Sequence, residues 1–158
     1  MTTQILSTSD EDIEKAARIL REGGIVGMPT ETVYGLAGNA LDAGSARKIY
    51  AAKGRPSDNP LIVHVTCIDE ALPLVKTMPE NARRLFAEFS PGPLTIVMSK
   101  TDIIPYETSG GLDTVGRRIP ADKTARRLIK AAGFPLAAPS ANLSGSPSPT
   151  SAAHVIAD

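Results

Sequence analysis

Residues 51–65, AAKGRPSDNPLIVHV, hold the transition that decides the fold. The stretch opens as the end of a helix, passes a loop broken by Gly54, Pro56 and Pro60, and ends in a short apolar run. Proline fixes φ and removes a backbone donor, so neither the helix nor the strand runs through that loop. Lys53, Arg55 and Asn59 stand in the stiff segment, and His64 stands in the strand that follows. A loop that only had to turn the chain needs none of the four.

The same alternation extends in both directions. Upstream, Asp42 caps a helix running to about Ala52, with Ala46, Ile49 and Tyr50 on its inner face. Before it, TSDEDIEKAARILREGG carries a capping box at Thr8 and Glu11. It places Ile13, Ala16, Ala17 and Leu20 on one side and stops at Gly23-Gly24. GIVGMP reads as a buried strand, and PTETVYGLA as the loop after it. Downstream, Pro73 interrupts any helix in DEALPLVKTM, while Pro79 suits the first turn of PENARRLFAEF. LTIVMS and TVGRRI are strands joined by a glycine-containing loop from Thr101 to Asp113. Asp122 caps KTARRLIKAAG, PLAA is a last strand, and Thr150 caps a helix in SAAHVIAD after the loop PSANLSGSPSPT. Helices and strands in alternation predict an α/β, or mixed α+β, architecture on a twisted sheet, with residues 1–158 as a single domain. The sequence stops inside its last helix, so a domain shortened at its C-terminus is expected.

Composition narrows the class. With 158 residues, 42% apolar and 22% charged, the chain can bury a core without disulfides. Trp is absent, so that core rests on aliphatic side chains. No apolar run reaches the roughly 18 residues of a membrane helix, and the polar, acidic start MTTQILSTSDEDIEK is no signal peptide. Cys67 is the only cysteine, which fits a reducing cytoplasm. Net charge is zero but uneven. Residues 1–42 carry three Lys/Arg against seven Asp/Glu, and the rest carry 14 against 10. That split fits a basic face for a polyanion, or plain solvated helix surface.

The polar residues with chemical promise fall at strand ends and in the adjoining loops, where open α/β sheets bind ligands. Neither a GxxxxGK[ST] phosphate loop nor a GxGxxG fingerprint is present. The two histidines, His64 and His154, are too far apart in sequence for a zinc motif, and no protein side chains are assigned to a metal. Anion handling is what remains. Lys53 and Arg55, at spacing two, both reach one polyanion if the segment is extended. The alternative is a helix end whose cations offset the C-terminal dipole. His64 faces away from Leu61, Val63 and Val65, as a pocket residue or as a hydrogen-bonded core histidine. Ser140, Asn142, Ser144 and Ser148 suit either a sugar, base or phosphate, or an ordinary turn. Strand alternation sends Arg117 and Arg118 to opposite faces, one toward a pocket and the other toward solvent.

Five segments, PTETVYGLA, KGRPSDNPLIVHV, SPGPLTIVM, VGRRIP and APSANLSGSPSPT, occur in this order and spacing in the YrdC-like threonylcarbamoyl-AMP synthases, which the chain resembles from about Thr8 to Asp158. The resemblance implies a nucleotidyltransferase that condenses L-threonine, bicarbonate or CO2, and ATP into L-threonylcarbamoyl-adenylate, releasing pyrophosphate. The product would serve N6-threonylcarbamoylation of adenosine in tRNAs reading codons that start with A, through a separate transferase complex. It also implies a twisted mixed sheet with flanking helices and a concave basic face, and Mg2+ accompanying ATP.

By the same resemblance, Lys53 and Arg55 are the catalytic cations, and Arg55, Asn59, Thr114, Ser140, Asn142 and Ser148 bind ATP. Thr32, His64, Arg118 and the backbone at Ala138 contact threonine. No general base is assigned. Arg117 departs from the family pattern, which is more usually apolar there, and is expected to be exposed or to alter the pocket edge. The rival reading is an RNA-binding module that holds tRNA or double-stranded RNA on its basic face without adenylating activity. Few aromatics are available for base stacking, which weakens it for single strands.

Overall fold

The computed structural model describes residues 3–158. Helix α1 (Asp10–Arg21) leads into β1 (Val26–Met28) and β2 (Gly35–Asn39), then α2 (Ala43–Lys53) and β3 (Ile62–His64). A short helix α3 (Ile68–Ala71), a 3-10 turn (Leu72–Leu74) and α4 (Glu80–Phe89) lead to β4 (Thr95–Ser99). Then come α5 (Tyr106–Ser109), β5 (Thr114–Arg118), α6 (Lys123–Ala132), β6 (Leu136–Ala137) and α7 (Ala152–Ala157). The strands form one sheet in the order β1-β2-β6-β3-β5-β4. Among the described residues only β3 and β5 pair in parallel, so the sheet is mixed, as the alternation of elements predicts.

Strand register divides the side chains between two faces. One face sends Leu61, Val63, Val65, Val115 and Met98 into a core with Ala46, Ile49 and Tyr50 of α2 and Ala82 and Phe86 of α4. On the other face, α1 and α6 cover the β1–β2–β6 half through Leu20, Leu128 and Ile129 packed on Met28, Ala37 and Leu136. Apolar residues at helical spacing supply both packing surfaces. Over β3, β5 and β4 that second face is left open: Val97 is 65% exposed, Ser99 is exposed, and Ile62, Thr95, Thr114 and Gly116 are half-buried. The candidate site lies there.

Several expected boundaries move. The cap of α1 is Ser9, whose Oγ accepts from Asp12 N at 3.2 Å, rather than Thr8. Pro79 is the N-cap of α4 rather than part of its first turn, and Ser151, not Thr150, caps α7. The loop from Thr101 to Asp113 contains α5. Most consequential is β2, because GLAGN forms a central strand where a loop is expected. Glycine and asparagine are poor strand formers, but the position demands small residues. A Cβ at Gly38 would lie 3.1 Å from Ile49 Cδ1. Close packing against α2 overrides local preference.

Candidate functional site

Parallel pairing sets His64 opposite Arg118, so both side chains leave the sheet on the same, open side. The Arg118 guanidinium donates through Nη2 to Glu31 Oε1 at 2.7 Å and to Thr32 Oγ1 at 3.1 Å. Thr30 Oγ1 gives its hydrogen to the Val33 carbonyl at 2.6 Å, so Thr32 is the donor in the 3.0 Å contact between the two hydroxyls. Burial works against the Glu31 charge. The Arg118 hydrogen bond and the N–H groups of Glu31 and Ala121 outweigh it and hold the carboxyl below its ordinary value. Thr32, Arg118 and His64 are thus brought together, with Glu31 as a fourth member. Glu31 lies inside PTETVYGLA, yet nothing in the pattern shows that β5 carries its partner.

His64 is buried, and that burial, with the nearby Arg118 charge, pushes its pKa down to about 4. The ring is therefore neutral near pH 7. Its Nδ1 lies 3.1 Å from the Ile62 carbonyl. A carbonyl can only accept, so Nδ1 carries the hydrogen and Nε2 keeps a lone pair. A neutral acceptor beside a guanidinium suits a hydroxyl-bearing, carboxylate-bearing ligand.

Lys53 departs from the extended arrangement in which it and Arg55 reach one anion together. It is the last residue of α2, and Gly54 follows in the left-handed region at φ 59°, where a side chain would be strained. The helix end turns Lys53 inward until it is only 3% exposed, and its ammonium donates to the carbonyls of Ser140 and Asn142. Burial first, and then Arg55, lower its pKa. Lys53 is a staple between α2 and the 140–142 loop.

That loop is fastened on its other side as well. Ala141 N donates to Tyr34 O, and Tyr34 N donates to Pro149 O, both at 2.8 Å. Asn142 directs Nδ2 to the carbonyls of Leu143 and Ser146, each at 2.8 Å, while its buried Oδ1 has no partner. Ser140 is half-buried at a bridge to Gly35. Ser148 is exposed in a cleft of ≈ 340 Å³ with Ser146, Thr150, His154 and Asp158. Ala138 gives its N–H to Ile62 O at 2.9 Å, so that donor is already engaged within the sheet.

Arg55 is held differently from Lys53. Its Nε donates to Asn59 O at 3.1 Å, and its Nη2 donates to Asn59 Oδ1 at 2.6 Å and to Pro60 O at 3.1 Å. The fork is oriented before any ligand arrives, and Asn59 remains exposed. The buttress comes from the 101–113 segment. A Cβ at Gly110 would lie 2.9 Å from Asp58 O, and Leu61 N donates to Thr108 O at 3.0 Å. Thr114 begins β5 on the same face as Arg118, about 13 Å away along the strand.

Arg117 is neither exposed nor at a pocket edge. It is wholly buried beneath the sheet. The cleft of ≈ 480 Å³ between Leu41, Pro73, Ile103 and Phe134 holds none of the candidate residues. Among the described residues, no three His, Cys, Asp or Glu gather to hold a metal, and no helix is long and apolar enough to cross a membrane.

Known proteins resemble the chain over most of its length. The Sua5/YciO/YrdC family model, described as telomere recombination, matches residues 18–158. A threonylcarbamoyl-AMP synthase of Pyrococcus abyssi is 52% identical over 146 residues, covering 92% of this chain and 43% of the relative. Another, of Bacillus subtilis, is 50% identical over 157 residues, covering 99% and 45%. The crystal structure of P. abyssi Sua5 complexed with L-threonine superposes with a TM-score of 0.93 at 51% identity, covering 95% of this chain and 44% of that one. The chain therefore spans less than half the length of these relatives.

Proposed function

The chain belongs to the Sua5/YciO/YrdC family, and on that premise we propose that it forms L-threonylcarbamoyl-adenylate from L-threonine, bicarbonate or CO2, and ATP. The observation that carries the reading is the open sheet face itself, where a neutral His64 and the Arg118 guanidinium stand side by side in register beside Thr32. Such an arrangement suits a small hydroxy amino acid, its carboxylate on Arg118 and its polar groups among His64, Thr32 and the Ala138 carbonyl. The P. abyssi relative crystallised with L-threonine supports that choice of ligand.

In this reading the threonine amine attacks the carbonyl carbon of bicarbonate or CO2, forming an N–C bond; with bicarbonate, water leaves. The resulting carbamate oxygen attacks the α-phosphorus of ATP, and the bond to the β-phosphate oxygen breaks to release pyrophosphate. Arg55, preset by Asn59, meets the phosphate oxygens as charge moves onto the leaving group. Thr114, Ser140, Asn142 and Ser148 line the nucleotide side. Lys53 serves through the loop it anchors and through its charge, rather than as a free phosphate ligand. Mg2+ travels with the triphosphate in this account. Positioning and fixed charge supply the acceleration, and no residue is given the role of general base.

The adenylate would pass to a separate transferase that modifies tRNA. Exposed Cys67 suits a reducing compartment such as the cytoplasm. We read residues 1–158 as one YrdC-like domain.

Incubation with threonine, bicarbonate and ATP, read by mass spectrometry, tests the proposal. The expected result is the adenylate together with pyrophosphate, reduced when serine replaces threonine and abolished without it. ATP turnover indifferent to the amino acid would overturn it.

A further inference from the structure

Arg117 heads the fully buried side chains, and its surroundings are unusual for a charge. Its Nη1 donates to Val115 O at 3.1 Å and Met98 O at 3.3 Å, its Nη2 donates to Leu74 O, and its Nε has no partner. Among the described residues no carboxylate lies within ion-pair distance of it. Three carbonyls solvate the guanidinium without cancelling its charge. Burying a cation in this way costs several kcal/mol relative to an apolar residue of similar size. Structural convenience alone is a weak reason for its presence.

What lies on the other side of the sheet supplies a reason. Arg117 descends between Val115 and Ile119 into the covered core, so the open face above it is the floor made by Gly116 and its register partners Ile62 and Val97. That floor bears no charged side chain, and at Gly116 no side chain at all. Hydroxyls of Thr95, Thr114 and Ser99 flank it on the same face. A buried charge is poorly screened by salt, and its field leaves the protein most strongly where the low-dielectric layer is thinnest. One strand layer separates this guanidinium from the open face.

We propose that Arg117 is a positioning residue which, from beneath the sheet, makes the Ile62–Gly116–Val97 floor attractive to the polyphosphate of the nucleotide, without touching it. The inference rests on the proposed adenylation for the identity of the anion, but not for its existence. The field acts on any polyphosphate laid on that face. Arg55 grips from the rim, and Arg117 supplies charge from below.

Binding of inorganic tripolyphosphate, ATP and adenosine to the unchanged protein, Arg117→Met and Arg117→Lys, measured by calorimetry beside thermal melting, tests this. A unit charge about 10 Å away at an effective dielectric near 20 is worth about a tenfold change in affinity. Arg117→Met is expected to bind tripolyphosphate and ATP about tenfold more weakly, with adenosine unchanged and melting equal or higher. Arg117→Lys is expected to keep most of the affinity. Arg117→Gln, which keeps a donor but no charge, takes the place of the methionine variant if that fails to fold. Unchanged tripolyphosphate affinity in the neutral variants overturns the proposal, as does a loss shared equally by adenosine and tracking a lower melting temperature. An unchanged protein that binds tripolyphosphate in an Arg117-dependent way but makes no adenylate would sink the proposed reaction and leave this inference standing. One that binds no polyphosphate sinks both.

Discussion

The two faces of the β3–β5–β4 half-sheet treat cationic chemistry in opposite ways. On the open face Arg118 meets a carboxylate, Glu31, and a hydroxyl, Thr32, through Nη2, while its buried Nε has no partner. On the covered face Arg117, one residue away on the same strand, meets only backbone carbonyls and lies among apolar side chains. The difference shows that strand alternation decides which of two adjacent arginines meets polar side chains and which is buried in the core. Arg117 apart, it also separates residues whose loss should unfold the protein from residues whose loss should silence it.

Three substitutions sharpen that separation, in decreasing order of size. Phe86, fully buried under the covered face, packs α4 on the sheet. Phe86→Ala should cost about 3–5 kcal/mol of stability by denaturant titration, and a cost under 1 kcal/mol would mean that α4 is not part of the cooperative core.

His64 stands on the open side, buried beside Arg118, and its effect depends on pH. The unfolded chain takes a proton near the ordinary value of 6.5 and the folded chain only near 4. Between those values the unfolded state binds more protons, so stability is full above about pH 6.5 and is lost as pH falls toward 4. The loss is up to about 3 kcal/mol. Subtracting the stability–pH curve of His64→Gln from that of the unchanged protein should isolate this slope. Parallel curves would place the imidazole in water.

Arg55 stands at the exposed rim. Arg55→Ala should lower threonine- and ATP-dependent pyrophosphate release by about a hundredfold, with melting nearly unchanged. An unaltered rate would remove Arg55 from the mechanism, and a large stability loss would make its hold on Asn59 and Pro60 structural.

Much of the frame was legible because local rules and tertiary demands coincide. Ile13, Ala16, Ala17 and Leu20 point inward from α1 as their spacing requires, Asp42 and Asp122 cap their helices, and His64 faces away from Val63 and Val65. The site was legible in part. Thr32, His64 and Arg118 lie together, while the hold of Asn59 on Arg55 appears only in the structure. What stayed hidden were contacts between segments remote in sequence: Glu31 with Arg118, Lys53 with the Ser140–Asn142 carbonyls, and Gly110 against Asp58.

The sequence by itself determined the alternation of elements, their inner faces and the residue types gathered at strand ends. Those follow from side-chain periodicity and capping, which act within a few residues. Only the tertiary structure decided that GLAGN would be a central strand, that Lys53 would be a staple rather than a free cation, and that Arg117 would lie beneath the sheet. Each of these depends on what another segment offers across the fold: a helix close enough to require glycine, carbonyls placed to receive an ammonium, an interior able to solvate a guanidinium. Those partners exist only once the chain has closed on itself.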